Sequence, residues 1–263
     1  MSGEVVLRAG VTLGLFLVFA ALEARWPRKA RRLPRVARWP SNLGLILLDQ
    51  AAVRLLVPLV PAVAAARWEG GGLLGWLAWP PWVEAVVAVV VLDLVVWGQH
   101  VVFHRVPWLW RLHRVHHADP DLDVTSGLRF HPVEILLSVG IKLGAVAALG
   151  PSAAAVVAFE VILNGMALFN HANLAWPAGV ERAARWLVVT PDVHRIHHSI
   201  REEERHRNFG FNLVIWDRMF GTFVGEPRGG QEGLVVGDVA ELRPGDVALA
   251  AMLARPFVGE GVG

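Results

Sequence analysis

The 263-residue chain contains no cysteine and no tyrosine. Without cysteine the protein can form no disulfide, thiolate metal site, iron–sulfur cluster or cysteine nucleophile. Charged residues are also scarce, at 18% of the chain against about a quarter in ordinary soluble domains, whereas 54% of residues are hydrophobic. This balance favours a chain largely buried in lipid. The net charge of only +2 argues against nucleic-acid binding.

Five apolar stretches approach the length of about 20 residues that a lipid-spanning helix needs. They cover about residues 5–22, 43–66, 83–103, 133–149 and 152–169. Only Gly150 and Pro151 separate the last two, which predicts a helical hairpin with a tight turn. The sequence therefore predicts an all-α integral membrane bundle of about four to five membrane helices. The polar residues after about Asn173 would form a helical cap that carries histidine clusters.

Basic residues set the expected orientation of this bundle. Seven of them, with no acidic residue between, crowd the segment after the first stretch: Arg25, Arg28, Lys29, Arg31, Arg32, Arg35 and Arg38. This segment should be cytoplasmic, and we interpret it as a lipid-headgroup contact that sets topology without a catalytic role. The alternative, a cleaved signal peptide at the first stretch, would export the basic segment against this rule. The cap would then lie on the cytoplasmic face of a multi-pass protein, and composition favours a bacterial inner membrane.

The motifs divide the chain into three expected regions. Residues 1–82 would hold the N-terminal membrane helices and the basic cytoplasmic loop, residues 83–224 the catalytic domain, and residues 225–263 a peripheral C-terminal tail. Five polar residues also lie within apolar stretches, where some could only extend towards the interface: Asp49, Arg54, Lys142, Glu160 and Asn164. Of these, Glu160 and Asn164 share one helix face and are expected to line a cavity.

Eleven histidines are present, none before His100, and eight of them form three clusters. The clusters are His100-x3-His104, His113-x2-His116-His117 and His194-x2-His197-His198. Residues three and four apart share a helix face, so each cluster directs two or three imidazoles towards one point. Neutral imidazole binds zinc, copper, iron and nickel, and eight rings are too many for one ion. Isolated core or surface histidines do not explain a repeated pattern, which therefore predicts two metal ions.

Two familiar hydrolytic motifs are absent from the sequence. There is no His-Glu-x-x-His of zinc proteases and no Gly-x-Ser-x-Gly nucleophile elbow. Hydrolysis by these routes is therefore poorly supported, and the histidine clusters remain the best guide to chemistry.

An ordered set of motifs between about Leu92 and Phe223 resembles one known family. The set runs Asp93-x6-His100-x3-His104-Arg105, Leu109-Trp110-x2-His113-x2-His116-His117, Arg129-Phe130-His131-Pro132-x-Glu134, Asn170-His171-x-Asn173, His194-Arg195-x-His197-His198-Ser199, Asn208-Phe209-Gly210 and Trp216-Asp217-Arg218-x-Phe220-Gly221-Thr222. It is similar to the fatty acid hydroxylase/sterol desaturase superfamily. The resemblance implies a non-haem centre of two Fe ions held by eight to ten histidines, with O₂ as co-substrate, an external electron donor and an apolar or amphipathic substrate.

Further candidates lie beside these clusters. His171 is expected to be a ligand, because a histidine of this region joins the metals in the family, and its alternative is a polar contact at a helix end. His131 and Glu134 open a helix, so a role beside the metals or facing the substrate and a plain helix-start motif both remain open. Asp93 could orient a ligand imidazole, and Asn208 could serve the metals directly or through water. His206, in a charged loop, is predicted to be a surface residue.

Three functions are compatible with this pattern. The first is O₂-dependent hydroxylation of a C–H bond in a membrane lipid, whether a fatty acyl chain, sterol or isoprenoid, ether lipid or aminolipid. The second is desaturation by the same centre. The third, from another class, is metal binding or transport, which would place ligands near the membrane midplane. For the first two, a separate cytochrome b5-, ferredoxin- or rubredoxin-like protein would supply electrons.

Overall fold

A computed structural model describes residues 3–57, 61–77, 79–238 and 245–258. In this part of the chain the protein is all-helical and contains no β-strand beyond three isolated bridges. Its α-helices are α1 (Gly3–Arg25), α2 (Arg35–Leu56), α3 (Pro61–Trp68), α4 (Pro81–Arg105), α5 (Pro107–His117), α6 (Pro132–Leu149), α7 (Ala153–His171), α8 (Ala178–Ala184), α9 (Pro191–His197), α10 (Glu202–Arg205), α11 (Ile215–Met219), α12 (Gly230–Gly233) and α13 (Leu249–Ala254).

Among the described residues, five segments are long and apolar enough to cross a membrane, which confirms the predicted fold class. They are Val6–Arg25, Arg35–Trp76, Pro81–Arg105, Pro132–Leu149 and Ala153–His171. Large apolar side chains cover the outside of these helices, among them Leu13, which is 59% exposed, and Leu47, which is 70% exposed. Such extensive apolar surface is costly in water and suits contact with lipid.

The second predicted stretch, residues 43–66, differs from the structure in two ways: its helix begins earlier, and a second helix forms within it. Its first helix, α2, begins eight residues earlier, at Arg35, and a separate helix, α3, begins at Pro61. Proline cannot donate a backbone hydrogen bond within a helix, and the sequence has prolines at positions 58 and 61. The earlier start places Arg35 and Arg38 on the helix rather than in a loop.

The predicted turn between the last two spans forms at Gly150. Its φ of +63° is left-handed and ends α6, a conformation that glycine adopts without strain. Ser152 caps α7 by accepting a hydrogen bond from the Ala155 amide at 3.3 Å. Glu84, in the first turn of α4, accepts from the Ser152 amide at 3.0 Å. The hairpin is thereby tied to the start of the helix that delivers the first histidine cluster.

The basic segment packs against protein, so its interpretation as a lipid-headgroup contact is wrong for the residues that dock. Arg38 is fully buried and pairs with Asp119 and Asp123, with 2.7 Å between the nearest nitrogen and oxygen atoms in each pair. Arg28 pairs with Asp192 in α9 at 3.1 Å. These contacts join the N-terminal helices to the segments around the histidines.

Within the C-terminal region 225–263, which was expected to be peripheral, some of the described residues pack into the core. Met252, on α13, is fully buried and packs against Leu45 of α2 and Val115 of α5. Asp238 pairs with Arg114 and Arg255, with nitrogen–oxygen distances of 2.9 and 2.6 Å. The described parts of this region therefore help to close the core beside the second histidine cluster.

Candidate metal centre

The structure brings all nine histidines predicted as ligands together. They form a five-histidine group of His100, His104, His113, His117 and His197, and a four-histidine group of His116, His171, His194 and His198. Within each group, one nitrogen from every ring lies within 4.8 Å of the others. None of the nine is more than 5% exposed. The number and the gathering of the imidazoles suit two metal ions.

The two groups are interleaved along the chain. In the cluster of α5, His113 and His117 join the five-histidine group, whereas His116 joins the other. In the cluster of α9 the assignment is reversed, because His194 and His198 join the four-histidine group and His197 crosses to the first. Residues four apart on a helix face the same side, so each pair would serve one ion and the ring between would serve the other.

The ring nitrogens point at one another in a way that suits a shared ion. The Nε2–Nε2 distances are 3.0 Å for His100 and His113, 3.1 Å for His116 and His171, and 3.0 Å for His171 and His194. Two nitrogens bound at right angles to one ion, at about 2.1 Å each, would be about 3.0 Å apart. The observed separations therefore match ligands around a metal.

The opposite nitrogen of several rings is held by a carbonyl group. Nδ1 donates to the main-chain oxygen of Phe209 from His100 at 2.7 Å, of Ala167 from His171 at 2.6 Å, of Arg207 from His197 at 2.7 Å and of Arg129 from His116 at 3.2 Å. A hydrogen bond at Nδ1 fixes the tautomer that leaves Nε2 free to bind a metal. Nε2 of His104 and of His197 and both ring nitrogens of His117 lack a partner among the described residues, as a ligand would without its ion.

Burial keeps the histidines of the second and third clusters in the neutral form that binds metals. It lowers the pKa of His113 to about 3. It also lowers the pKa of His117, His197 and His198 well below the ordinary value, and neighbouring histidines add to this effect. A buried imidazolium is disfavoured by desolvation, so these rings are neutral around pH 7, as metal ligation requires.

Glu134 lies where the sequence places it, beside a candidate ligand. Its Oε1 accepts a hydrogen bond from Nδ1 of His113 at 2.6 Å, and the side chain is 4% exposed. The carboxylate therefore orients the His113 ring and increases its basicity at Nε2. This arrangement supports the prediction of a role beside the metals.

His131 and Asn208 occupy structural positions instead. Nδ1 of His131 accepts from the Val133 amide at 3.2 Å and caps α6, so the helix-start alternative describes this residue best. The Asn208 amide group donates to the Val193 and Val224 carbonyls at 3.1 and 2.8 Å. Its oxygen accepts from the Val224 amide at 2.8 Å, so it braces the cap rather than facing the ions.

Asp93 joins α4 to the cap rather than orienting an imidazole. Its Oδ2 accepts from the Trp216 indole at 2.8 Å and from the Leu213 amide at 3.3 Å. Asp217 forms a second link, because it accepts from the Trp97 indole at 3.1 Å. Two carboxylate–indole pairs thus hold the cap over the end of α4, where the first two ligands lie.

Sequence reasoning missed one histidine near the candidate metal centre. Nδ1 of His206 lies 3.2 Å from Nδ1 of His104, and the residue is half-buried rather than at the surface. Trp110 packs beside both, with its ring 4.9 Å from His104 and 5.7 Å from His206. His206 stands in a charged loop without a motif, so no pattern indicated this contact.

Residues 85–222, more than half of the chain, match the family model described as fatty acid hydroxylase. The chain belongs to the fatty acid hydroxylase family. This confirms the family that the motifs indicated. No solved structure matches the chain significantly.

Curated relatives within this family oxidise several kinds of lipid. An ornithine lipid hydroxylase of Rhizobium tropici is 29% identical over 67% of this chain and 51% of its own length. An alkylglycerol monooxygenase of Xenopus tropicalis is 31% identical over 48% of this chain and 27% of its own length. A cholesterol 25-hydroxylase of Rattus norvegicus is 23% identical over 52% and 45%, respectively. The chain spans about half or less of the length of these relatives.

A cavity of about 180 Å³ adjoins the five-histidine group of this fatty acid hydroxylase family member. His100 and His113 line it together with residues of α2, α4, α6 and α7 and with loop residues such as Phe211. Phe130 lines this cavity and stacks on His116, with ring centroids 4.4 Å apart. Of the two residues predicted to line a cavity, Asn164 does so, whereas Glu160 pairs with Arg8 of α1.

Replacing Glu134 by glutamine should weaken metal binding at the five-histidine group about 10- to 100-fold, because His113 loses its carboxylate partner. Metal analysis of the purified variant, after dialysis against graded chelator, measures the change. Glu84→Gln is the matched control, since Glu84 holds Ser152 at the far end of α4. Equal metal retention in the two variants would contradict the assigned role of Glu134.

Proposed function

We propose that the protein is a membrane-bound, O₂-dependent oxidoreductase with two iron ions that hydroxylates a C–H bond of a lipid. One observation carries the proposal: nine buried histidines form two ligand groups, and the larger group opens onto a cavity among apolar helices. Such a histidine set suits iron, and the family match favours iron among the metals that imidazole binds. The relatives named above, which carry the names of lipid hydroxylases and monooxygenases, support a lipid substrate.

The reaction balances as R–H + O₂ + 2 e⁻ + 2 H⁺ → R–OH + H₂O. The bound iron pair would supply the redox chemistry that activates O₂. The two electrons would come from a separate one-electron carrier of the cytochrome b5, ferredoxin or rubredoxin kind. One oxygen atom enters the broken C–H bond and the other leaves as water.

The residues of the chain would bind the ions, orient the ligand rings and exclude water. The nine imidazoles would hold the ions, while Glu134 and main-chain carbonyls fix the rings. Val96, Phe130 and Phe211 provide apolar surface beside the larger group. An apolar lining that excludes water strengthens electrostatic interactions at the centre and prevents side reactions with water.

The proposed orientation places this centre on the cytoplasmic face of a bacterial inner membrane. The basic residues between Arg25 and Arg38 support it, since cytoplasmic segments are enriched in lysine and arginine. These residues also contact the histidine-bearing segments, as the Arg28–Asp192 pair shows. We further propose that residues 83–224 act as the catalytic domain and residues 1–82 as its membrane support.

Incubation with ¹⁸O₂ tests the proposed function. The purified protein, with its metal content measured, is supplied with a reduced ferredoxin and a bacterial lipid extract, and the lipids are analysed by mass spectrometry. We expect about two iron ions per chain and a lipid product that gains one labelled oxygen atom. A variant with both His116 and His198 replaced by alanine serves as the control without an intact four-histidine group.

Other outcomes would overturn parts of this proposal. A product that has lost two hydrogens and gained no oxygen would identify a desaturase using the same centre. Protein without bound iron and without an O₂-dependent product would contradict both oxidative functions. Metal flux in proteoliposomes without any redox product would instead support a transporter.

A further inference from the structure

The cavity beside the five-histidine group has more polar character than a hydrocarbon chain needs. Asp49 of α2, Gln99 of α4 and Glu134 of α6 all line it. Asp49 and Glu134 are only 3% and 4% exposed. In each of the three residues one side-chain oxygen lacks a hydrogen-bond partner among the described residues: Oδ1 of Asp49, Oε1 of Gln99 and Oε2 of Glu134.

All three unpartnered atoms are acceptors. A buried acceptor without a donor costs more free energy than a hydrogen bond ordinarily returns, and native proteins rarely leave such groups unpaired. The same penalty is removed when a bound molecule brings hydrogen-bond donors to this end of the cavity.

The nearest basic residue of the lining does not supply the missing donors. Lys142 lies eight residues beyond Glu134 on α6, a rise of about 12 Å along the helix. Its electrostatic neighbours are Glu160 of α7 and Arg8 of α1, and Arg8 and Glu160 form an ion pair. Lys142 therefore belongs to a separate charged cluster, farther from the histidines.

We propose that the substrate is a lipid whose polar group carries a hydrogen-bond donor, either a hydroxyl or an N–H group, and that this polar group binds against Asp49 and Gln99. This inference rests on the proposed function. It specifies the substrate class and also the region of the lipid that is oxidised. Because the acceptors share the cavity with His100 and His113, the oxidised carbon lies within a few bonds of the polar group.

The size of the cavity supports this placement. Its volume of about 180 Å³ is below the range of about 300–1,000 Å³ that holds drug-sized ligands, so the cavity takes a polar group and a few carbons. An outer groove of about 390 Å³ continues from Gln99 and Phe103 and is lined by Val102, Trp108 and Leu137 among others. The apolar lining of this groove suits the remaining hydrocarbon chain.

Lipid binding by the metal-loaded protein in detergent, without O₂, tests the proposal independently of turnover. The probes are synthetic lipids with one common alkyl chain and four polar groups: a free hydroxyl, its methyl ether, a primary ammonium and its trimethylated form. Native mass spectrometry measures the bound fraction. We expect the wild-type protein to bind each donor-bearing lipid at least ten-fold more tightly than its methylated counterpart.

Substitution of the acceptors should remove this discrimination. Asp49→Leu and Gln99→Leu should lower the affinity for the donor-bearing lipids to that of the methylated ones, with metal content unchanged. Leu47→Ala, at a lipid-facing position of the same helix that is 70% exposed, should keep the wild-type preference. The ratio of hydroxyl to ammonium binding then identifies which donor the site prefers.

Two results would overturn the proposal. One is equal binding of donor-bearing and methylated lipids by the wild-type protein. The other is a product oxidised near the far end of its alkyl chain. A failed proposed function looks different, because a protein that binds the donor-bearing lipids selectively but forms no O₂-dependent product retains the binding site and lacks the reaction.

Discussion

Replacing His171 by alanine should leave at most one metal ion per chain and reduce turnover by more than about 100-fold. The four-histidine group would fall to three imidazoles, and His116 and His194 would lose the ring that lies 3.1 and 3.0 Å from their Nε2 atoms. Fewer ligands mean weaker binding. Metal quantification together with turnover in the ¹⁸O₂ assay measures both effects.

The size difference between the groups provides the comparison for this experiment. His104→Ala leaves four imidazoles in the five-histidine group, which still suffice for four-coordinate binding, so this variant should retain more metal than His171→Ala. His131→Ala is the matched control, since His131 belongs to neither group and caps α6. It should keep two ions. Equal metal loss in all three variants would contradict the assignment of ligands to groups.

Replacing Arg38 by methionine should lower the free energy of unfolding by about 3–5 kcal/mol, because removal of one partner leaves buried charges uncompensated. Arg38 is fully buried and pairs with Asp119 and Asp123 at 2.7 Å each. Thermal unfolding in detergent should show a Tm lower by more than about 5 °C. Arg54→Met, on the exposed side of the same helix, should change it little.

The same substitution should also disturb the four-histidine group. Asn42 donates to Asp119 at 3.1 Å and accepts from Arg129 at 3.2 Å, and the Arg129 carbonyl holds His116. We therefore expect Arg38→Met to bind less metal at that group even below its unfolding temperature. A variant with lowered Tm but a full complement of metal would show that the network stabilises the fold without positioning His116.

The free energy of unfolding, measured as the pH is lowered, tests this network separately. Burial alone would raise the pKa of Asp119, but Arg38 and Arg129 hold it at about 2. The stabilisation that the carboxylate provides is therefore present above its ordinary pKa of about 4 and is lost as the pH falls towards 2. In Arg38→Met this contribution should be smaller throughout that range.

Eight of the nine candidate ligands could be predicted from the three histidine clusters, because residues three and four apart lie close together on a helix, and the family resemblance added His171. The lengths of the apolar stretches indicated the membrane spans, and Gly150 with Pro151 indicated the turn. The division of the ligands between the ions could not be predicted, since it depends on how α5 and α9 face each other. His206 was missed for a related reason: its contact with His104 arises between elements 102 residues apart.

The N-terminal region was the least predictable part. Seven basic residues in one segment indicate a membrane face, but their acidic partners lie far along the chain, as the Arg38–Asp119 pair shows. The role of Asp49 and Gln99 at the cavity was equally difficult to predict, because both lie in apolar stretches that are typical of lipid-facing helices. In both cases the sequence shows a polar or charged residue but does not show which residues it contacts in the fold.

The interleaving of the two histidine groups has a consequence for how the protein acquires metal. Since α5 and α9 each contribute to both groups, an ion bound in either group would hold the same pair of helices together. We therefore expect the two ions to bind with positive cooperativity, because an ion in one group would stabilise the helix arrangement that the other group needs. When the metal is scarce, we expect a mixture of metal-free molecules and molecules with two ions, rather than a uniform population with one ion each.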